Sequence, residues 1–393
     1  MKQITEMNSI SEMAGISFDC DCGRKHSVDI GKIYIENQGV PEEVLKSVSQ
    51  FKEQEILLVA DTNTYKVYGS YVERMLSDSG FKLRTFVFKT ERHLVPDEKA
   101  LGLLLTEIET ETSLVLAVGS GVINDVCKHV CHKTGKPYII LATAPSMDGY
   151  ASVVSPIIVN GVKKTLSGNY PLAIIADVTV LKDAPMDMLR AGFGDILGKL
   201  TALADWKLSR IINNELYCQT CVKLIENALE NCISNTDRLL TRDEQAVGFV
   251  MEALVLSGIA IGLHGDSRPA SGAEHNFAHY WDMDAISKNI EHPLHGNSVA
   301  VGTVVTSYVY EYMKPFLPEG LPKLDTQMIT GLLKRLGACY SPFDLGIDKE
   351  LFVRSMYEAY KLKPRYTIFN LAEEKGMLDK ITKELTEKFY NEA

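Results

Sequence analysis

The run from Leu114 to Leu141 most limits what this chain can become. An apolar stretch, LVLAV at 114–118, enters Gly119-Ser120-Gly121, a helix-compatible segment follows to about Thr134 with Gly135 as its stop, and a second apolar stretch, YIIL, begins at Tyr138. Strand, glycine turn, helix and strand make a parallel βαβ unit, whose strands are covered on both faces and so read as unbroken apolar runs. The alternation extends to either side. ILLVA at 56–60 ends at Asp61, Thr62 or Asn63 can cap a helix running to about Ser79, and Gly80 stops it. A strand at 83–88 and a helix at about 97–109 come next, and Asn160-Gly161 between two β-prone runs predicts an antiparallel hairpin. Beyond Asp177 strand signals fade, and from Met186 the chain reads as successive amphipathic helices. At 393 residues two cores are expected. They divide as an α/β half, residues 1–184, and an all-α half, residues 185–393.

Glycines at 119 and 121 after a buried strand let the backbone approach a pyrophosphate, whose charge the amides of the next helix N-terminus would stabilise. Asn124 stands where the dinucleotide fingerprint has its third glycine, and no acid closes the next strand, so a plain turn is equally compatible. Asp61, ending the preceding strand, can accept bonds from ribose hydroxyls and repel a 2′-phosphate, or it can cap the following helix.

The helical half carries few candidate ligands. Asp195 lies in the apolar stretch AGFGDILGKL, where a carboxylate needs a partner or a cation. His275 and His279 are four apart on one helical face in SGAEHNFAHYW, and His295 precedes another apolar helix. Glu274 comes before the first histidine, so this is not the metalloprotease motif, and spacing alone leaves a metal centre and a surface pair both open.

Two cysteine groups stand apart from these residues. Cys20, Cys22 and His26 sit in DCDCGRKH, and Cys218 and Cys221 in LYCQTCVKL. A structural zinc site shows two well-spaced ligand pairs, and neither group has an obvious second pair. The expectation is therefore a turn before the first strand and small buried residues on a helix.

Eight cysteines in so long a chain do not make a disulfide framework. The N-terminus carries no apolar export segment, and no stretch approaches the roughly 18 to 20 uninterrupted apolar residues of a membrane span. Free thiols, a cytoplasmic location and no membrane insertion follow as expectations. A net charge of -10 argues against nucleic acid as the main partner.

VGSGVINDV (118–126), ATAPSMDGYAS (142–152), AGFGDILGKLTALADWKLS (191–209), SRPASGAEHNFAHYW (267–281) and LHGNSVAVG (294–302), with the late PRYTIFNL, occur in order along the chain. Together they resemble the iron-containing alcohol dehydrogenase and dehydroquinate synthase-like superfamily, and within it the sn-glycerol-1-phosphate dehydrogenases of the bacterial branch. The first 35 or so residues match that pattern poorly. The resemblance implies a dehydroquinate synthase-like fold with an α/β dinucleotide-binding domain and an all-α metal-binding domain. It implies that Gly119, Ser120, Gly121, Val122, Ile123, Asn124, Asp125, Thr143, Ala144, Pro145 and Ser146 form the dinucleotide site, with Asp61 on the ribose and Ser152 closing it. It makes Asp195, His275 and His295 metal ligands, sets Asp148 and His279 against the substrate, and brings Asp195 near it through the metal. A homodimer is the family expectation.

The implied reaction interconverts dihydroxyacetone phosphate and sn-glycerol 1-phosphate, with NAD(H) preferred and NADP(H) possible. A divalent ion would act as Lewis acid; a ligand set without thiolate admits zinc, nickel, iron or manganese. Asp148, Asp195 and His279 would be the catalytic set, with His279 relaying the proton. Arg268 and Lys199 are candidates for the phosphate, followed by Lys163 and Lys164 on the hairpin. The rival readings are a polyol dehydrogenase indifferent to phosphate, a dehydroquinate synthase-like lyase, and a nucleotide-binding sensor without catalysis.

Overall fold

The structure, a computed structural model, describes residues 4–7, 9–90 and 93–391. A short ribbon opens it, β1 (Ser17–Asp19) antiparallel to β2 (Lys25–Ser27). The chain then runs through β3 (Lys32–Glu36), α1 (Val40–Val48), β4 (Glu55–Asp61), α2 (Thr62–Thr64), a π-helical turn at Tyr65–Gly69 and α3 (Ser70–Asp78). After these come β5 (Lys82–Phe88), α4 (Glu98–Glu107), β6 (Thr112–Gly119), α5 (Gly121–Thr134) and β7 (Tyr138–Ala142). β8 (Val154–Val159) and β9 (Val162–Ser167) form the hairpin, and β10 (Ala173–Asp177) leads into α6 (Val178–Leu181).

Six strands pair in the order β3-β10-β7-β6-β4-β5, every neighbour parallel. Alternate residues serve opposite faces: Ile56, Leu58, Leu114 and Leu116 pack with Val44 and Val72 of α1 and α3, while Leu57, Val59, Val115 and Ala117 pack with Leu104 and Val126 of α4 and α5. Both faces of the central strands are covered, so β4, β6 and β7 show no polar alternation. Gly135, at φ 68°, ends α5 in the left-handed conformation that glycine adopts without strain. The hairpin turns on Asn160 (φ 52°) and Gly161 (φ 71°), two left-handed residues whose twist matches that of paired strands. The helix expected at 62–79 is capped not by Thr62 or Asn63 but by Asp61, and the π-helical turn interrupts it.

From Met186 the described residues are helical: α7 (Met186–Asn213), α8 (Gln219–Ser234), α9 (Thr236–Leu240), α10 (Glu244–His264), α11 (Ala273–Ser287) and α12 (His295–Met313), followed by α13 (Thr326–Leu336), α14 (Lys349–Glu358), α15 (Ile368–Glu374) and α16 (Leu378–Tyr390). α10 is long and apolar enough, by length and composition, to cross a membrane, although Glu252 and Ser257 interrupt its apolar run. Most of it is buried inside this protein.

Glycines set how closely the helices approach. A Cβ on Gly296 would fall 1.8 Å from the carbonyl oxygen of Ala191, and one on Gly192 would fall 1.9 Å from that of Pro145. α7 therefore lies against α12 on one side and against the loop after β7 on the other, at distances that admit no side chain.

Candidate active site

β4 and β6 are neighbours, and the chain leaves β4 toward β5 on one side and returns to β6 on the other. Such a reversal opens a crevice at the carboxyl ends of the strands, where open α/β sheets bind ligands. Asp61 ends β4 there and Gly119 ends β6. The Asp61 Oδ1 accepts the amides of Asn63 (2.8 Å) and Thr64 (2.9 Å), so its capping role is realised, and both bonds fall on one oxygen. A Cβ on Gly119 would lie 2.5 Å from the Ile123 Cβ, so only glycine allows α5 to start this close to its strand. The Ser120 side chain does not cap α5. The helix N-terminus is thus left with amide donors and a positive dipole end, with Gly121, Val122 and Ile123 in its first turn.

Thr143 donates its amide to the Gly119 carbonyl at 3.1 Å, which sets the 143–146 loop beside the glycine turn. The Ala144 carbonyl accepts from the buried Tyr150 hydroxyl (2.7 Å) and from the Ser146 amide (3.1 Å), and Pro145 meets Gly192 as described. Asn124 donates to the Gly149 carbonyl at 3.2 Å from a fully buried position. Asp125 and Ser152 both meet Lys128, whose buried ammonium lies 3.3 Å from the carboxylate and 3.2 Å from the hydroxyl. Burial pushes the Asp125 carboxyl up to about 6, and Lys128 partly offsets this. Lys128 escaped the sequence reading; its signal was a lysine three residues after an acid, in an otherwise largely apolar helix.

Asp195 comes from α7, His275 and His279 from α11, and His295 begins α12. Donor atoms of Asp195, His275 and His295 lie within 4.8 Å of one another. The His275 Nε2 is 3.4 Å from Asp195 Oδ1, and its Nδ1 lies 2.7 Å from Glu274 Oε1. A carboxylate so placed fixes the tautomer and turns Nε2 toward the shared centre. The His295 Nδ1 faces Asp282 Oδ2 at 3.8 Å, and Lys163 holds that same oxygen at 2.7 Å. His279 completes a triangle of rings, its centroid 6.4 Å from that of His275 and 5.6 Å from that of His295.

Asp148 joins this centre from the loop after β7. Its amide donates to Asp195 Oδ2 at 3.1 Å, and its Oδ2 accepts from Lys199 and from Ser257, both at 2.8 Å. Lys199 also reaches Asp195 Oδ1 at 2.7 Å. Burial would raise the Asp195 pKa, but Lys199, His275 and His295 together hold the carboxyl well below the usual range. Burial, with Lys363 and Lys163 nearby, pushes the His279 imidazole well down, so it is neutral.

One buried carboxylate anchors the start of α11. Asp205 Oδ2 accepts the Ala273 amide at 2.9 Å, while Oδ1 accepts the Ile368 amide (2.9 Å) and the Tyr310 hydroxyl (2.8 Å). Glu274, two residues before Asn276, is held by the Gly272 amide (2.6 Å) and the Thr201 hydroxyl (2.8 Å).

The phosphate candidates require correction. Arg268 is 1% exposed and is taken up by Glu215, its Nε and Nη2 both 3.0 Å from a carboxylate oxygen, so it braces the fold. Lys199 is engaged by Asp148 and Asp195. On β9 the alternation turns Lys164 outward and Lys163 toward Asp282. Lys363, which sequence reading passed over, is pushed down to about 8 by burial, with Arg365 and Lys163 adding to the effect. A lysine directly before PRYTIFNL was its only signal.

The two cysteine groups, read separately in the sequence, also meet. The Cys20 Sγ lies 3.7 Å from the Cys218 Sγ, across 198 residues of chain.

Residues 35–185 match the family model described as iron-containing alcohol dehydrogenase. The chain is 33% identical over 392 residues to glycerol-1-phosphate dehydrogenase [NAD(P)+] of Halalkalibacterium halodurans, covering 92% of this chain and 97% of that one. It is 33% identical over 388 residues to the protein of the same name from Bacillus velezensis, covering 92% and 95%. The fold matches glycerol dehydrogenase from Schizosaccharomyces pombe with a TM-score of 0.68 at 19% identity, covering 91% of each chain. With the crevice at the strand ends, the Asp-His-His cluster and 33% identity over 92% of the chain in agreement, the chain belongs to the glycerol-1-phosphate dehydrogenase family of iron-containing alcohol dehydrogenase-type oxidoreductases.

Proposed function

We propose that this chain interconverts dihydroxyacetone phosphate and sn-glycerol 1-phosphate, using NAD(H) by preference and NADP(H) as an alternative. The observation that carries this reading is the cluster of Asp195, His275 and His295, whose donor atoms lie within 4.8 Å of one another, in a chain 33% identical over 92% of its length to a glycerol-1-phosphate dehydrogenase. The positive charges of Lys363 and Lys163, felt at His279, suit a phosphorylated substrate.

The donor set fits a divalent ion. Ligand bonds of about 2.1 Å in a tetrahedron put donors about 3.4 Å apart, the separation found between His275 Nε2 and Asp195 Oδ1. Three protein ligands leave further positions open, and zinc, nickel and iron all suit them. Such an ion, when bound, polarises the carbonyl oxygen as a Lewis acid.

The remaining roles belong to the chain itself. Lys363 holds the phosphate, and Lys163, already paired with Asp282, adds its charge without a direct bond. Asp148, fixed by Lys199 and Ser257, accepts a hydrogen bond from a substrate hydroxyl. His279, neutral, passes on its own N–H proton while taking another at its second nitrogen. The glycine turn and the 143–146 loop orient the dinucleotide, and the Asp61 charge sits where a 2′-phosphate would enter. Residues 1–184 supply the dinucleotide half and residues 185–393 the metal and substrate half. The expected setting is the cytoplasm and the expected assembly a homodimer, the latter read directly by light scattering.

Nicotinamide oxidation with dihydroxyacetone phosphate, compared with unphosphorylated dihydroxyacetone, tests the substrate. Phosphate dependence and a product that chiral analysis shows to be the 1-phosphate are expected. Equal rates on both ketones, or a 3-phosphate product, would overturn the reading.

A further inference from the structure

We propose that Cys20, Cys22, His26 and Cys218 form a second metal centre, a structural zinc site distinct from the Asp195, His275 and His295 cluster. Their four donor atoms lie within 4.8 Å of one another. The Cys20 and Cys218 sulfurs are 3.7 Å apart, the Cys218 sulfur is 3.6 Å from His26 Nε2, and the Cys22 sulfur is 3.2 Å from that nitrogen. Zinc bonds of about 2.3 Å to sulfur and about 2.0 Å to nitrogen, arranged tetrahedrally, give edges of about 3.5 to 3.8 Å. Two of the three measured edges fall in that range, and the third is a few tenths shorter.

The local backbone is built to present these donors. Cys20 and Cys22 occupy the turn between β1 and β2, which is closed by the Cys20 amide on the Arg24 carbonyl (3.0 Å) and the Gly23 amide on the Cys20 carbonyl (2.9 Å). Gly23 stands at φ 83°, a conformation that lets the chain fold back beneath the two thiols. His26 follows on β2, its ring 2% exposed, and Cys218 sits at the N-cap of α8. Thr220, in the first turn of α8, brings its hydroxyl within 3.3 Å of the Cys20 sulfur, where it can donate to a thiolate. All four cysteines of the two sequence groups are free thiols.

Three thiolates and one imidazole select a soft or borderline cation over magnesium, calcium or manganese. Four protein ligands fill a tetrahedron and leave no position for substrate, as in a structural site. The ligands belong to the turn between β1 and β2, to β2 and to the N-cap of α8, whereas the other cluster is carried by α7, α11 and α12. The site therefore staples the opening ribbon to the helical half, a junction otherwise made by contacts such as Arg24 Nη1 on the His264 carbonyl at 2.8 Å. The two cysteine groups complete one donor set between them, three donors from Cys20, Cys22 and His26 and the fourth from Cys218, with Cys221 outside it.

The test is metal content of the full-length protein by mass spectrometry, together with its cobalt spectrum. Wild type should retain one zinc per chain after mild chelation that removes the ion of the other cluster. Cys22→Ser and Cys218→Ser should lose that equivalent. His275→Ala should keep it and, refilled with cobalt, still show the intense sulfur-to-cobalt absorption of a tetrahedral thiolate site. The His275→Ala measurement decides even if the cysteine variants fold poorly. Retained zinc stoichiometry in both serine variants, a cobalt form of His275→Ala without thiolate bands, or a Cys20–Cys218 disulfide in the purified protein would each overturn the proposal.

Discussion

Glu274 and His275 are adjacent in sequence and bonded to each other, Oε1 to Nδ1 at 2.7 Å, so one residue orients the ring of the next. Substituting Glu274→Gln keeps the shape and the hydroxyl contact of Thr201 but removes the carboxylate. Loss of such an outer partner reduces metal affinity by about 10- to 100-fold. Titration of the stripped protein with zinc or nickel should show that loss, with much of the activity returning at saturating metal. An unchanged affinity would mean that Glu274 does not tune the centre.

His295→Ala should abolish turnover and weaken metal retention while the dinucleotide half stays folded. His295 begins α12, whereas the glycine turn is held by β6, α5 and the 143–146 loop. Dinucleotide binding followed by fluorescence should survive as activity and the chelatable metal disappear. Near-wild-type turnover after chelator treatment would remove His295 from the ligand set.

Asp61 has two roles that one substitution separates. Serine caps helices about as well as aspartate, so Asp61→Ser should change stability by less than about 1 kcal/mol. Losing the negative charge removes the repulsion toward a 2′-phosphate, so the NADPH-to-NADH ratio of kcat/KM should rise, by about tenfold for each 1.4 kcal/mol of repulsion relieved. An unaltered ratio would confine Asp61 to capping.

Lys363 gives a pH dependence whose sign is fixed. Its pKa is lowered to about 8, so it is cationic below that pH and loses its charge above it. The substrate phosphate, with a second ionisation near about 6, is already dianionic there. The kcat/KM for dihydroxyacetone phosphate should therefore fall as pH rises through about 8, mainly through KM. In Lys363→Arg the charge persists, and that limb should move to higher pH. The same limb in both proteins would assign it to another group.

Gly296→Ala tests the helix crossing. The added Cβ would sit 1.8 Å from the Ala191 carbonyl oxygen, so α12 must shift. Overpacking of this kind costs about 1 to 3 kcal/mol, and the shift would carry the adjacent His295 with it. A lowered urea midpoint accompanied by metal loss is expected; wild-type stability with full metal would show that the crossing yields more readily than its geometry implies.

The centre of the parallel sheet was legible because β4, β6 and β7 are buried on both faces, so the pattern at 56–60, 114–118 and 138–141 needs no knowledge of partners. β1, β2 and β3 are short or mixed in polarity and left no such pattern. Asp195 stood out as an acid in an apolar helix, and the structure pairs it with Lys199 and His275. Arg268 misled because a buried guanidinium beside the ligands in sequence has the same signature whether it meets a phosphate or Glu215. Lys363 and the pairing of Cys218 with the turn at Cys20 depend on residues far apart in the chain, which spacing cannot report.

Asp205 imposes an order on the life of the polypeptide. The amide that starts α11, the helix carrying His275, and the amide of Ile368 share its two oxygens, and Tyr310 adds a third bond. During synthesis Ala273 emerges long before Ile368 does. For that interval the carboxylate has only part of its hydrogen-bonding complement, and His275 rests on an unfinished foundation. With His275 as a proposed ligand, a ribosome-bound fragment ending before Ile368 is expected to hold an ion more loosely than the finished chain does.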